Sequence, residues 1–244
     1  MRVVAILAAG IGSRLSPITG GRPKCMVQLG KKTLLEHQVE ALVEAGVEPG
    51  EIVVVSGHMR EAVEGVATRL GCRTLFNPEY AATNNVVTVH KAVQWIKPRA
   101  EVSAELVIVN SDTFAHPEVF RAIIATRFPN AVVVDDSGDP DAEAMKVEAD
   151  NELAQRFGKG LIGASVRGEY IGVAKFSGSG LVALMSVLES MVERGETQEW
   201  YEEAFNRITA DVPIAIVSTS GLPWTEIDTP EDYQRALDLA GELV

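Results

Sequence analysis

Leu7-Ala8-Ala9-Gly10-Ile11-Gly12-Ser13-Arg14-Leu15-Ser16-Pro17-Ile18-Thr19, followed by Pro23-Lys24, is the stretch on which the reading of this 244-residue chain turns. The apolar run Val3 to Ala8 leads straight into it. A short β-branched run without alternation suits a strand buried on both faces, as in a parallel sheet. In open α/β sheets ligands bind beyond the carboxyl ends of the strands. A Gly-x-Gly turn at that position lets backbone N–H groups approach an anion without Cβ interference. Two familiar phosphate loops do not fit. The dinucleotide fingerprint wants a third glycine where this chain has Leu15, and an acid before Glu36, where there is none. No Gly-Lys-Ser/Thr follows, which excludes a Walker loop.

Outward from this loop the chain alternates. Ile52 to Val55, Leu106 to Val109 and Ala131 to Val134 are further apolar runs. Helical patterns lie between them. Thr33-Leu34-Leu35-Glu36 reads as a capping box, with Leu35, Val39, Leu42 and Val43 at helical spacing and Gly46 as a stop. Further helices are expected over Met59 to Leu70, over Asn85 to Ile96 ending before Pro98, and from Pro117 to before Pro129. The β-α-β-α order predicts an α/β fold with helices on both faces of a mostly parallel sheet. After residue 143 the pattern becomes more antiparallel. Short strands are expected at Met145 to Glu148, Leu153 to Phe157, Tyr170 to Phe176 and Pro213 to Val217. Helices are expected at Ser179 to Arg194 and Trp200 to Ile208. Thr229-Pro230-Glu231-Asp232 combines an N-cap, an N1 proline and early acids, and opens a last helix. No linker composition divides the chain, so residues 1–244 read as one domain.

The net charge of −12 conceals an asymmetry. The first 32 residues hold Arg2, Arg14, Arg22, Lys24, Lys31 and Lys32 and no acid, so the remainder carries −18. The acidic balance argues against polymeric nucleic acid, which needs a basic surface. No apolar stretch approaches a membrane span. The apolar start lacks a secretory layout. Cys25 and Cys72 have no metal-type spacing, and a reduced, cytoplasmic setting fits them. The four histidines are scattered without the spacing of a zinc site. The acid-rich, turn-rich stretch Asp135 to Glu152 reads as an exposed hairpin or a flap.

The full string from Leu7 to Lys24 resembles the signature of the nucleotidyltransferase (NTP transferase) family. The resemblance implies a three-layer Rossmann-like nucleotidyltransferase fold. It further implies that the loop wraps the NTP phosphates, with Leu7, Ala8, Ala9, Gly10, Gly12 and Ser13 at the nucleotide. Arg14 and Lys24 would be the catalytic cations, neutralising the α-phosphate and the leaving pyrophosphate. Asn110-Ser111-Asp112 follows a buried strand, and Glu226-Ile227-Asp228 precedes the last helix. By position these resemble the family's metal-binding carboxylates, which implies that Asp112 and Asp228 hold Mg²⁺. A turn-former at Asp112 and a helix-cap acid at Asp228 are the plainer readings.

Asn77-Pro78-Glu79-Tyr80-Ala81-Ala82-Thr83-Asn84-Asn85, Gly168-Glu169-Tyr170-Ile171-Gly172 and Trp200-Tyr201 look similar to the phosphocholine-type cytidylyltransferase branch. The resemblance implies a base site at Ser56, Gly57, Tyr80, Thr83, Asn84 and Asn85, with Asn84 or Asn85 also available as a helix cap. It implies acceptor contacts at Glu169 and Tyr201. Lys146 is the lone cation among eight acids from Asp135 to Glu152, and reads as an acceptor-phosphate ligand or as half of a surface ion pair. The implied reaction is transfer of CMP from CTP to a phosphorylated or phosphonate alcohol. Choline recognition calls for an aromatic cage, and the chain has Ala144 and Met145 where the phosphocholine enzymes carry an aromatic residue. A sugar-1-phosphate nucleotidylyltransferase is the alternative enzyme, and an inactive nucleotide-binding regulatory module the alternative of another class. A homodimer is common in such families.

Overall fold

Alternate residues of the strand Arg2–Ala8 face opposite sides of the sheet and are buried on both. Val3, Ala5 and Leu7 enter one apolar cluster, and Val4, Ile6 and Ala8 enter another. That is what period-two side chains do when helices cover both faces. A computed structural model describes residues 1–97 and 104–242, and the side chains of Ser13, Ser16 and Pro17 lie outside what it describes. Pro98, expected to close a helix, lies outside the described residues.

The sheet has nine strands. From one edge they are Arg73–Phe76, Ile52–Ser56, Arg2–Ala8, Glu105–Asn110, Val166–Ser177, Ala131–Asp135, Ala215–Ser218, Leu153–Gly158 and Lys146–Asp150. The first four are mutually parallel. Val166–Ser177 runs antiparallel to both of its neighbours, Glu105–Asn110 and Ala131–Asp135. The hairpin Lys146–Asp150 with Leu153–Gly158 closes the far edge. Its two-residue turn, Asn151-Glu152, has left-handed backbone at both positions, the conformation a tight hairpin needs. The acid-rich stretch is therefore this hairpin plus the loop 136–145 before it. The parallel first half and more antiparallel second half match the sequence reading.

Helices Leu34–Glu44, Arg60–Arg69 and Pro117–Ala125 cover one face, and Asn85–Ile96 and Gly178–Glu193 the other. The capping box forms as read: Glu36 N–H donates to Thr33 Oγ1, and Thr33 N–H donates to the Glu36 carboxylate at 2.7 Å. The last helix, Pro230–Glu242, packs Ala236 and Leu239 against Leu15, Leu29, Leu34 and Ile227. This third cluster anchors the far end of the glycine loop. The strand expected at Tyr170 to Phe176 runs longer, Val166–Ser177, and shifts register between Tyr170 and Ala174. Gly172 lies in that shift with φ of +80°, and a Cβ there would meet the Asn110 side chain at 2.5 Å. The helix expected at Trp200 to Ile208 contracts to Glu202–Asn206. Among the described residues no helix is long and apolar enough to cross a membrane.

Candidate functional site

A cleft of about 990 Å³ opens at the carboxyl ends of the parallel strands. Leu7, Ala8, Ala9, Gly10, Gly12, Arg14 and Lys24 line one side of it. The side chain of Ser13 lies outside the described residues. Gly12 has φ of +68°, and a Cβ on it would meet Lys24 Cγ at 2.8 Å. Glycine there both makes the turn and lets the lysine stem lie against the loop.

Tyr80, Thr83, Asn84 and Asn85 line the same cleft. Asn84 is also the helix cap, its Oδ1 accepting the Asn85 N–H at 2.7 Å. Capping and cleft lining coexist because a helix N-terminus that opens on a cleft is itself an anion-favouring feature. Ser56 and Gly57 lie behind the wall instead of on it. Ser56 Oγ donates to Glu64 at 2.7 Å. A Cβ on Gly57 would meet Ala9 O at 2.4 Å and Tyr80 Cβ at 2.7 Å. The glycine thus lets two cleft segments close on each other, and His58 N–H ties the contact by donating to Ala9 O.

The carboxylates meet through a small two-stranded sheet. Trp224–Glu226 pairs antiparallel with Thr113–Ala115, and Ile227 N–H donates to Asp112 O at 3.0 Å. Thr229 and Asp232 then cap the last helix reciprocally, and Asp232 also accepts the Asp228 N–H. These contacts bring one carboxylate oxygen each from Asp112, Glu226 and Asp228 within 4.8 Å of one another. Gln38 braces the turn from below: its buried amide donates to Asn110 O at 2.8 Å and Thr113 O at 2.7 Å.

The Lys24 ammonium sits between two of the acids, bonded to Asp112 Oδ2 at 3.0 Å and to Asp228 Oδ1. Arg14 reaches Asp228 at 3.4 Å. Burial disfavours the charged lysine, but Asp112 and Asp228 outweigh it and hold Lys24 above the ordinary lysine range. Glu226 is pushed up to about 9, first by the charge of Asp112, then by its enclosure and by Asp228. Glu226 was not among the expected ligands. Its spacing of two from Asp228 was the available signal, since residues two apart on an extended segment share a face.

The opposite wall includes Glu169, Tyr170, Lys159, Met145, Trp200 and Glu202. Glu169 is pushed up to about 7 by burial and by Asp141 and Asp135. Two expected acceptor contacts lie elsewhere. Tyr201 is fully buried, in ring contact with Tyr170 and Phe205, and its hydroxyl is shared between Tyr170 and Asn110. The sequence suggested a ligand contact, but the phenol completes the core. Lys146 is 8% exposed, and its ammonium donates to Lys159 O at 2.8 Å, behind the wall. Lys159 is the cation that faces the cleft on this side.

Residues 4–186 match the family model described as a MobA-like NTP transferase domain. The chain is 31% identical to a CTP:phosphoglutamine cytidylyltransferase of Campylobacter jejuni, over 70% of this chain and 72% of that one. It is 25% identical to a choline-phosphate cytidylyltransferase of Streptococcus pneumoniae, over 94% of each. Among solved structures, a CTP:phosphocholine cytidylyltransferase from Streptococcus pneumoniae superposes with a TM-score of 0.79 and 22% identity, covering 98% of both chains.

Proposed function

The chain belongs to the MobA-like NTP transferase family, and from that premise we propose that it transfers CMP from CTP to a small phosphorylated or phosphonate alcohol. The products are a CDP-alcohol and pyrophosphate. The observation that carries the reading is convergence: the cationic glycine loop and three carboxylates from two distant segments share one cleft. Cytidine is favoured by the names of the two relatives above, both cytidylyltransferases.

In this reaction an acceptor oxygen attacks the α-phosphorus in line. A new O–P bond forms and the bond to the β-phosphate oxygen breaks. A phosphate monoester has its second pKa near ~6 and is mostly dianionic at pH 7, so no general base is required. The obstacle is the repulsion of two anions. Arg14, Lys24 and the loop N–H groups stabilise charge on the nucleotide side without reorganising during the reaction. Asp112, Glu226 and Asp228 fit Mg²⁺: they are hard oxygen donors, close enough to share one ion. That the Lys24 ammonium lodges among them supports a site for positive charge. When bound, Mg²⁺ supplies charge neutralisation at phosphate oxygens.

The test is a pyrophosphate-release screen of the four NTPs against choline phosphate, 2-hydroxyethylphosphonate, inositol phosphate and glucose 1-phosphate. CTP with an alcohol phosphate or phosphonate is the expected productive pair. Turnover confined to glucose 1-phosphate would sink the reading in favour of an NDP-sugar enzyme. No turnover with any pair would favour a nucleotide-binding module.

A further inference from the structure

Between Arg14 and Lys24 the chain makes an excursion. It passes through the short helix Ser16–Thr19, turns at Gly20-Gly21 and comes back to the cleft at Lys24. The excursion bonds mostly to itself, the Arg22 N–H and guanidinium both donating to Thr19 O. Among the described residues, a single hydrogen bond ties residues 16–22 to a distant segment. It joins His58 Nε2 to Gly21 O at 2.8 Å. A carbonyl oxygen only accepts, so Nε2 carries the proton and donates.

His58 reaches two more parts of the site. Its N–H donates to Ala9 O at 3.1 Å, just past the strand Arg2–Ala8. Its ring lies against Tyr80 with centroids 6.2 Å apart, inside the range of a favourable aromatic pair. His58 is not among the residues that line the cleft. On the transfer reading the nucleoside meets the Tyr80 wall, and the phosphates meet Arg14, Lys24 and the loop N–H groups. One molecule that spans two sites gains from both in full only when their separation is already set. A loose excursion would have to be ordered at each binding event, which weakens binding.

We infer that His58 is a positioning residue for the triphosphate: its Nε2–H fixes the phosphate loop at a set span from the Tyr80 wall, so that one intact nucleotide engages both. The role rests on the transfer reading above and adds to it a residue outside the cleft. Its signature is selective. Loosening the excursion weakens the grip of Arg14 and Lys24 on the triphosphate and leaves the nucleoside contacts in place. A residue that merely held the fold together would weaken every nucleotide alike.

Two variants separate the donor from the ring. His58→Phe keeps a ring for Tyr80 and removes the donor to Gly21 O. His58→Gln returns an N–H donor at a similar reach and removes the ring. Calorimetry measures CTP and CMP binding to each variant and to the parent, all with Mg²⁺. In His58→Phe the CTP-to-CMP affinity ratio is expected to fall at least about threefold, the scale of one neutral hydrogen bond, and in His58→Gln to return to within about twofold of the parent. Without nucleotide, hydrogen exchange in the peptide spanning residues 13–24 is expected to quicken at least about threefold in His58→Phe and to slow again in His58→Gln. An unmoved ratio in His58→Phe would overturn the inference, as would a Gln variant as impaired as the Phe variant, or exchange unchanged in both. The transfer reading survives each of those results wherever the parent releases pyrophosphate. If the parent binds CTP but turns over no acceptor, the transfer reading fails alone, and the affinity ratio still decides the role of His58. If the parent binds no NTP, both fail.

Discussion

Replacing Lys24 by Met keeps the length of the stem and removes the charge. The ammonium is bonded to Asp112 at 3.0 Å and to Asp228, with only 18% of the side chain exposed. Any cation entering this site must displace it from both carboxylates. Each charge-assisted hydrogen bond contributes about 1.5–3 kcal/mol, and the carboxylates left behind repel one another. Lys24→Met should therefore bind Mn²⁺, a spectroscopically visible substitute for Mg²⁺, at least about tenfold more tightly. On the proposed reading the same change removes a cation that faces the nucleotide phosphates. Loss of one transition-state stabiliser lowers kcat on the order of 10²–10³-fold. The two effects have opposite signs, which separates them from general damage to the fold. Mn²⁺ affinity is read by electron paramagnetic resonance titration, and kcat by pyrophosphate release. The metal-free variant should also melt at a lower temperature than the parent and recover on adding Mn²⁺. Unchanged or weaker Mn²⁺ binding, together with an unaltered kcat, would refute the placement of Lys24 between the metal carboxylates and the phosphates.

Three further outcomes follow from the same geometry. Gln38→Ala strips two donors from the turn that presents Asp112; a loss of about 2–3 kcal/mol in urea unfolding is expected, with weaker Mn²⁺ binding, and a variant as stable as the parent would show that the brace is idle. Gly57→Ala forces a Cβ to within 2.4 Å of Ala9 O; destabilisation on the order of 2 kcal/mol and a raised KM for CTP are expected, and normal values for both would mean the wall gives way freely. Glu202 titrates near 7 in the fold, pushed up by burial, against 4.5 as its ordinary value. A carboxyl raised in this way contributes stability that is fully present below pH 4.5 and is lost as pH climbs through 7. The penalty at pH 8 is on the order of 3 kcal/mol, so the stability of Glu202→Gln relative to the parent should grow between pH 5 and pH 8; a flat difference across that range would place the Glu202 carboxyl at its ordinary value.

The glycine loop was legible because backbone chemistry leaves a local mark: a buried strand, a Gly-x-Gly turn and spaced cations are all adjacent in sequence. Helix ends were legible for the same reason. Asn85–Ile96 has the bounds the sequence suggests, set by the Asn84 cap. The carboxylate cluster was two-thirds legible. Asp112 and Asp228 stand at strand and helix ends, but Glu226 needed the two-residue spacing to be read as a shared face. The acceptor wall was least legible. Tyr201 and Lys146 were singled out by residue type, but whether a side chain reaches a cleft or completes a core is settled by tertiary packing. Glu202, the neighbour of Tyr201, has no sequence signal to mark it. Its 4% exposure is set by tertiary packing, which leaves no local mark.

Tyr201 has a consequence for redesign. Its N–H donates to Asn85 Oδ1 at 3.0 Å, its hydroxyl donates to Asn110 Oδ1 at 3.0 Å, and the next residue is Glu202. The backbone and side chain of this one residue therefore tie the helix Asn85–Ile96, the turn carrying Asp112 and the cleft wall at Glu202 into a single frame. A library that varied Tyr201 would cut the hydroxyl's tie to Asn110 and open the aromatic core behind the wall, and would select mostly for repair. The loop 136–145 reaches the same cleft through Asp141, Glu143, Ala144 and Met145, without bonds to Tyr201. On the proposed reading, acceptor preference can be retuned there, beginning at the exposed Glu143, while the frame around Tyr201 stays fixed.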